Sequence, residues 1–343
     1  MQTESSKDLL RKKEQYRKDL VKLAKESSRK VGYHFNCPDG IVSAALIRSI
    51  FPNEILTFIP IDYPMLKDQE VVHYFLQTEW FAIVDLSPFN TKEIEYYFDH
   101  HISNKDKEIK AKQHLFDFQA PSAAALIAKY FSDRIPDFLK ELADLTEITD
   151  TASYKIPAPL NLEKNYKNLS WDEKTWFLED ACKTTYTIPE HNELINILSS
   201  TGLRGLWKDS IIKRIEKLRQ SRKEAYEIAE NLELKDFVII VDNPFHYNTA
   251  YIARGVMKRG AIGAAYITDY PGEVKLSLRL SRSLSPEEVE KYRVDLLANQ
   301  MSGGGHKGAS GAEAENLEFA LDKIIKWTKQ KNLTSKILNL KEK

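Results

Sequence analysis

The chain has 343 residues, 42% hydrophobic and 29% charged, which excludes a disordered polypeptide and favours two cores over one. Its 50 basic residues balance 50 acidic ones, so the chain as a whole exerts no long-range pull on duplex nucleic acid or anionic lipid. Cys37 and Cys182 are its only cysteines and no run approaches the ~18 apolar residues of a spanning helix, so the expectation is a reducing cytoplasm, no disulfide scaffold and no membrane.

Residues 1–30 read as an N-terminal helix whose Leu9, Leu10, Tyr16, Leu20 and Leu23 form a short apolar stripe for docking. From residue 31, apolar strands alternate with helices. "VGYHF", "EILTFIPI", "WFAIVDLS" and "IEYYF" read as strands. "GIVSAALIRSIF", "MLKDQEVVHYFL" and "APSAAALIAKYF" read as helices, the last opened by Pro121 with Ser122 at its first turn. This alternation predicts an α/β fold over 31–150, with a parallel sheet, helices on both faces and sites at the C-terminal ends of strands. Residues 151–235 read as a helical connector without recognisable chemistry; its tryptophans are not interleaved with basic residues, as a base-stacking platform would need.

A smaller α/β domain is expected over 236–343. Strand "DFVIIVD" and helix "TAYIARGVMKRG" lead into a hairpin of "GAAYITDY" and "EVKLSLRLS" turning at "PGE". A helix over "SPEEVEKYRVDLLANQM" opens with Ser285 and Glu288 in a capping-box pattern. The glycine-rich "SGGGHKGASGA" and a helix around "LEFALDKIIKWTKQ" complete the chain.

Ionisable residues recur where the first domain's strands end: His34, Asp39, Asp85, His100 and Asp150. Singly, each has an ordinary reading. Asp39 and Asp150 can cap or join helices, Asp85 can start a turn, and a histidine on an apolar strand is commonly a satisfied core residue. Converging on one sheet edge, the same groups call for a cation. A mixed oxygen and nitrogen donor set suits Mn2+, and a carboxylate between two ions suits in-line displacement at phosphorus. In the second domain, "SGGGHKGASG" holds five of the 13 glycines, so backbone N–H groups can surround an anion there; the other reading is a mobile turn. Arg279 is a fork suited to a terminal phosphate, or else an exposed charge on a strand face.

In chain order, "HFNCPDGIVSAAL", "AIVDLS", "YFDHHIS" and "EITDTAS" resemble the four motifs of the DHH phosphoesterase superfamily. "VKLSLRLS" and "MSGGGHKGASGA" resemble its DHH-associated substrate domain. The resemblance spans roughly 31–151 and 236–315 and implies a DHH catalytic domain followed by a substrate-binding domain. It implies two divalent ions, Mn2+ foremost, with His34 and Asp85 holding one. Asp39, His100 and Asp150 would hold the other, with Asp85 between them. His101 would face the scissile phosphate, Asp99 would orient a histidine, and Arg279, Gly304, Gly305 and His306 would grip phosphate or nucleotide. Many members carry a further acid where Cys37 stands. Cys37 reads as a substitute thiolate ligand or as a small buried residue beside an ion held by fewer groups, and the second reading is preferred at this stage. The implied activity is Mn2+-dependent cleavage of short oligonucleotides to mononucleotides, with pAp as a further substrate. The alternatives are a cyclic-dinucleotide phosphodiesterase and a degenerate member that binds nucleotide without turnover. The expected partner is a short oligonucleotide or small nucleotide, not duplex DNA; the oligomeric state is left open, a homodimer included.

Overall fold

The computed structural model describes residues 6–26, 28–89, 93–163, 165–242, 248–270 and 273–341. One compact unit comprises Leu10–Arg219 and the other Met1–Leu9 with Gln220–Lys343. Among the described residues, no helix is long and apolar enough to cross a membrane.

The first unit contains α1 (Ser6–Lys25) from Leu10 onward, β1 (Arg29–His34), α2 (Pro38–Ile50), β2 (Leu56–Ile61), α3 (Gln69–Gln77), β3 (Glu79–Val84), β4 (Glu93–Asp99) and β5 (Ala111–Phe116). Helices α4 (Ala123–Tyr130), α5 (Asp137–Asp150), α6 (Trp171–Lys183) and α7 (Ile188–Thr201) follow, and the unit boundary falls inside α8 (Asp209–Asn231). Its sheet has the order β2-β1-β3-β4-β5 with every pair parallel. Side chains alternate across it, as a pleated strand requires. Val31, Tyr33, Phe58, Phe81 and Phe98 meet α2, α4, α5, α6 and α7 on one face. Ile59, Ile61, Trp80, Ile83 and Tyr97 meet α1 and α3 on the other. The chain leaves β1 for β2 on one side and returns to β3 on the other. That reversal opens a crevice at the C-terminal ends of β1 and β3.

Local signals behave as their chemistry dictates. Ser122 caps α4 by accepting from Ala125 N at 3.0 Å. The apolar stripe of α1 docks through Leu20, Val21 and Ala24, while Tyr16 Oη donates to Pro60 O at 2.6 Å. Two features were not foreseen. Strand β5 carries exposed Lys112, Gln113 and His114, the polar dressing of an edge strand, and so lacks an apolar signature. Helices α6 and α7 pack into the first unit's core through Phe177, Leu178, Leu194, Ile195 and Leu198.

The second unit contains β6 (Phe237–Asp242), α9 (Thr249–Lys258), β7 (Gly263–Tyr270), β8 (Glu273–Leu280), α10 (Pro286–Tyr292) and α11 (Val294–Asn299). It continues with β9 (Gly304–His306), β10 (Ala309–Ala314), α12 (Leu317–Gln330) and β11 (Ser335–Asn339). The sheet order is β11-β6-β7-β8-β10-β9, parallel across β11, β6 and β7 and antiparallel thereafter. Ser285 and Glu288 form both bonds of the capping box. The helix expected beyond them is two helices, broken at Arg293, because Val294 N donates to Lys307 O at 2.9 Å rather than continuing the turn. The glycine-rich stretch is not a loop but the β9–β10 hairpin. Strand β11 also escaped the sequence pattern. The "PGE" turn begins at Pro271 and Gly272, which lie outside the described residues.

Candidate active site

All six candidate metal-binding residues of the first unit meet at the ends of its strands. His34 ends β1, Asp85 directly follows β3, His100 directly follows β4, and Asp150 is the last residue of α5. Cys37 and Asp39 sit at the start of α2, Cys37 in the N-cap position without using its side chain to cap. Three groups of ligand atoms lie within 4.8 Å of one another: His34–Cys37–Asp85, Asp85–His100–His101 and Asp39–His100–Asp150. Asp85 thus belongs to two groups and His100 to two, so the three share walls.

The backbone is shaped to bring them together. Asn36 and Asp85 take left-handed φ angles of 53° and 54°, a conformation that Asn and Asp tolerate better than most residues. At Asp85 this turns the chain out of β3 while its N–H still donates to Phe98 O at 3.0 Å. Gly40 lets α2 start against the end of β1, since a Cβ there would stand 2.4 Å from His34 O.

Asp39 has a second occupation. Its carboxylate accepts from Ala123 N and Ala124 N, both at 2.7 Å, and from Ser43 Oγ at 3.3 Å. It therefore caps α4 from outside that helix while its Oδ2 lies 3.5 Å from His100 Nε2. His100 is oriented from behind: Nδ1 lies 3.2 Å from Ala120 O and donates to it, which turns Nε2 toward the carboxylates. That Nε2 is buried without a hydrogen-bond partner, 3.3 Å from Asp150 Oδ2 and 3.9 Å from Asp85 Oδ1. Both oxygens of Asp85 are likewise buried and accept no hydrogen bond, although Oδ2 is only 3.3 Å from His34 Nδ1.

A buried carboxylate with neither oxygen satisfied is costly unless a cation meets it. Burial, then the charges of Asp85 and Asp150, push the Asp39 carboxyl well above its ordinary range. Burial, then Asp85, raise Asp150 as well. Three crowded carboxylates and a correctly oriented imidazole fit a divalent ion, and the fit rests on the orphaned atoms of Asp85 and His100.

Beside this cluster Asp99 and His101 form a separate pair. Asp99 Oδ1 lies 2.7 Å from His101 Nδ1, and His101 is pushed up to about 9 chiefly by that hydrogen bond. Asp99 is fully buried. Burial raises its pKa, but the hydrogen bonds from His101 and Asn104 outweigh it and leave the carboxyl below its ordinary range. Asn104 Nδ2 donates at 2.6 Å and Tyr97 Oη at 3.1 Å to Asp99 Oδ2.

No protein-family model and no curated protein matches the chain. Solved structures do. A pGpG-specific phosphodiesterase, PggH from Vibrio cholerae, superimposes with TM-score 0.61 at 16% identity, covering 89% of this chain and 99% of that one. The DHH domain of a member of the s1p family of ribosomal proteins matches with TM-score 0.55 at 14% identity, covering 92% and 88%. The chain has the DHH fold. RecJ from Thermus thermophilus in complex with Mn2+ shares it, with TM-score 0.57 at 13% identity over 96% of this chain and 56% of RecJ.

In the DHH fold of this chain, the substrate-side candidates lie on the second unit's sheet. Ala309 pairs with Arg279 on one side and His306 on the other, so the three form one lateral row. Directly paired residues point to the same face, which sets Arg279 and His306 about 10 Å apart across β10. Gly304 and Gly305 belong to β9, and Gly305 has φ 139°, which favours glycine. His306 is exposed, whereas Arg279 is half-buried and already donates to Leu278 O at 3.0 Å and Ser310 O at 3.3 Å.

Sequence reasoning passed over several supporting residues. Asn104 directly follows the quoted "YFDHHIS", and Asn36 lies inside "HFNCPDGIVSAAL". An amide so close to ionisable residues was the available signal. His191, whose Nε2 donates to Asn36 Oδ1 at 3.1 Å, carries no sequence signal for that contact.

Proposed function

We propose that the chain is a metal-dependent phosphodiesterase that cleaves short oligonucleotides to mononucleotides in the cytoplasm and also accepts pAp. Residues 31–150 would form the catalytic domain and 236–343 the substrate-binding domain, with 1–30 an N-terminal helix and 151–235 a helical connector. The observation that carries the reading is Asp85, buried among His34, Cys37, His100 and His101 with both oxygens unsatisfied.

Two divalent ions would occupy the joined pockets, and Mn2+ suits the oxygen and nitrogen donors Asp39, His100 and Asp150. Such ions supply charge stabilisation at phosphoryl oxygens and make water a stronger acid. The chain supplies the rest. Ala120 O fixes the His100 ring with Nε2 turned inward. Asp99 keeps His101 protonated, so the imidazolium can hydrogen-bond a phosphate oxygen and stabilise the charge growing on it. Arg279 and His306 present two donors on one face, separated by the small Ala309, which suits a terminal phosphate or nucleotide. A short substrate also agrees with the zero net charge, because a long strand needs many phosphate contacts. The pGpG specificity named for the Vibrio cholerae neighbour gives the same reading support.

The test is turnover. Purified protein with Mn2+ is offered pApA, pGpG, pAp, cyclic di-AMP and pyrophosphate. Mononucleotides should form from the linear dinucleotides, and Asp85→Ala should abolish this. No turnover of any substrate with metal demonstrably bound would sink the proposal. Preference for cyclic di-AMP would favour the cyclic-dinucleotide alternative.

A further inference from the structure

We propose that Cys37 is a thiolate ligand, and that His34, Cys37 and Asp85 form a pocket selecting a thiophilic ion such as Zn2+, Fe2+ or Co2+. The inference rests on the metal-dependent reading above and deepens it by making the two positions chemically unlike. It also reverses the preference for a merely space-filling cysteine drawn from sequence.

Sulfur, imidazole nitrogen and carboxylate oxygen from these residues lie within 4.8 Å of one another. Ligands around 2.0–2.3 Å from one tetrahedral ion sit about 3.5 Å apart, so small movements complete the site. Asp85 is the independent witness. It is 1% exposed, its Oδ2 lies 3.3 Å from His34 Nδ1, and neither oxygen accepts a hydrogen bond.

Cys37 is poorly suited to its other duty. It holds the N-cap position of α2, where Ser, Thr, Asp or Asn would bond the free N–H groups, but its sulfur, a weak acceptor, only approaches Gly40 N–H and makes no regular capping bond. Cys182 in α6 shows what a packing cysteine looks like here: fully buried in the apolar cluster, and in none of the groups among the described residues that could hold an ion. Cys37 is instead half-buried and faces ligands. Coordination by this cysteine breaks the S–H bond, forms a sulfur–metal bond and releases one proton to solvent. Mg2+ is a poor reward for that exchange, whereas softer ions favour thiolate. The Asp39–His100–Asp150 group has no sulfur and keeps its match to Mn2+.

The whole metal-free protein is titrated with Co2+ under reducing conditions and followed by absorption. Wild type and Cys182→Ala should develop a sulfur-to-cobalt charge-transfer band in the near ultraviolet. Cys37→Ser should bind Co2+ with visible bands but without that feature, and its Zn2+ affinity should fall about tenfold or more while Mn2+ affinity changes little. Circular dichroism establishes that each variant is folded. Visible cobalt bands without the charge-transfer band in wild type would overturn the inference and leave the phosphodiesterase reading standing. So would a band that survives Cys37→Ser. Failure of folded wild type to bind any divalent ion would overturn both.

Discussion

His191 Nε2 donates to Asn36 Oδ1 at 3.1 Å across 155 residues of sequence, and so fastens α7 to the bend between His34 and Cys37. The His191 ring also lies against Phe35, 4.7 Å between centroids, and is fully buried. The bend needs such a fastening because Asn36 holds a left-handed φ of 53°. His191→Phe keeps a ring but removes the donor. Metal affinity should fall by about tenfold, as for other groups that orient ligands without touching the ion. Calorimetric titration with Mn2+ and Zn2+ measures this, and unchanged affinity would show that Asn36 holds its bend unaided.

His191 also gives stability a pH dependence of defined sign. Burial pushes its pKa down to about 3 in the folded chain, against about 6.5 unfolded. The folded state keeps the ring neutral, so this contribution is complete above pH 6.5 and is lost as pH falls toward 3. At pH 5 the loss is about 2 kcal/mol. Asp39 and Asp150, raised by burial, act in the opposite direction, so the clean quantity is the difference between wild type and His191→Phe. Urea unfolding at pH 7.5 and pH 5 should show wild type losing about 2 kcal/mol more than the variant. Parallel losses would contradict the assignment.

Asp39 and Asp150 approach the same imidazole nitrogen, but only Asp39 also holds the fold together. Removing the Asp39 carboxylate leaves Ala123 N and Ala124 N without their acceptor at the buried start of α4. Asp39→Ala should cost about 2–3 kcal/mol in the metal-free protein. Asp150→Ala removes a carboxylate that is only partly buried and that this burial and Asp85 already disfavour, and should change stability by less than about 1 kcal/mol. Both should abolish turnover. Equal destabilisation in chemical unfolding would refute this division.

The strands and helices of the first sheet were legible because short, nearly continuous apolar runs alternate with longer helical segments, and the polar residues closing those runs lie at one crevice. Strand β5 was not, since Lys112, Gln113 and His114 give an edge strand the appearance of a loop. The β9–β10 hairpin was hidden by glycine, whose lack of a side chain removes any pattern; a Cβ on Gly303 would stand 2.1 Å from Gly311 O. Cys37 was underread for another reason. Spacing places the thiol in the motif, but only three-dimensional proximity reveals that it lies beside the Asp85 carboxylate, whose oxygens accept no hydrogen bond. The bond from His191 to Asn36 is tertiary contact pure and simple, and no local rule anticipates it.

Gly40 offers a backbone test of the same region. A methyl group there would meet His34 O at 2.4 Å and His34 N at 2.8 Å, and backbone atoms cannot move aside as a flexible side chain can. Gly40→Ala should lower stability by about 1–3 kcal/mol and push the start of α2 away from β1. Because Cys37 and Asp39 travel with α2, metal affinity should fall together with the melting temperature. Gly304→Ala is the matched control, since its nearest neighbour would be Asn299 Oδ1 at an ordinary 3.7 Å. A stable Gly40→Ala protein with full metal affinity would show that the β1–α2 junction has slack.

Asp85 and His306 should separate chemistry from substrate binding. Asp85→Asn removes the buried charge crowding Asp39 and Asp150, so the metal-free variant should melt higher than wild type. Wild type should gain melting temperature on addition of Mn2+, because an ion bound only by the folded state stabilises it by mass action. Asp85→Asn should lose most of that gain, and turnover with it. His306 is exposed on β9, in register with Ala309 and Arg279, and belongs to none of the groups among the described residues that could hold an ion. His306→Ala should leave the metal-induced shift intact and raise KM for a linear dinucleotide by about tenfold, the worth of one charge-assisted hydrogen bond. If the role is uniform binding of the phosphate, kcat should be nearly unchanged. An equal fall in kcat and kcat/KM would instead place His306 among groups that act only in the transition state.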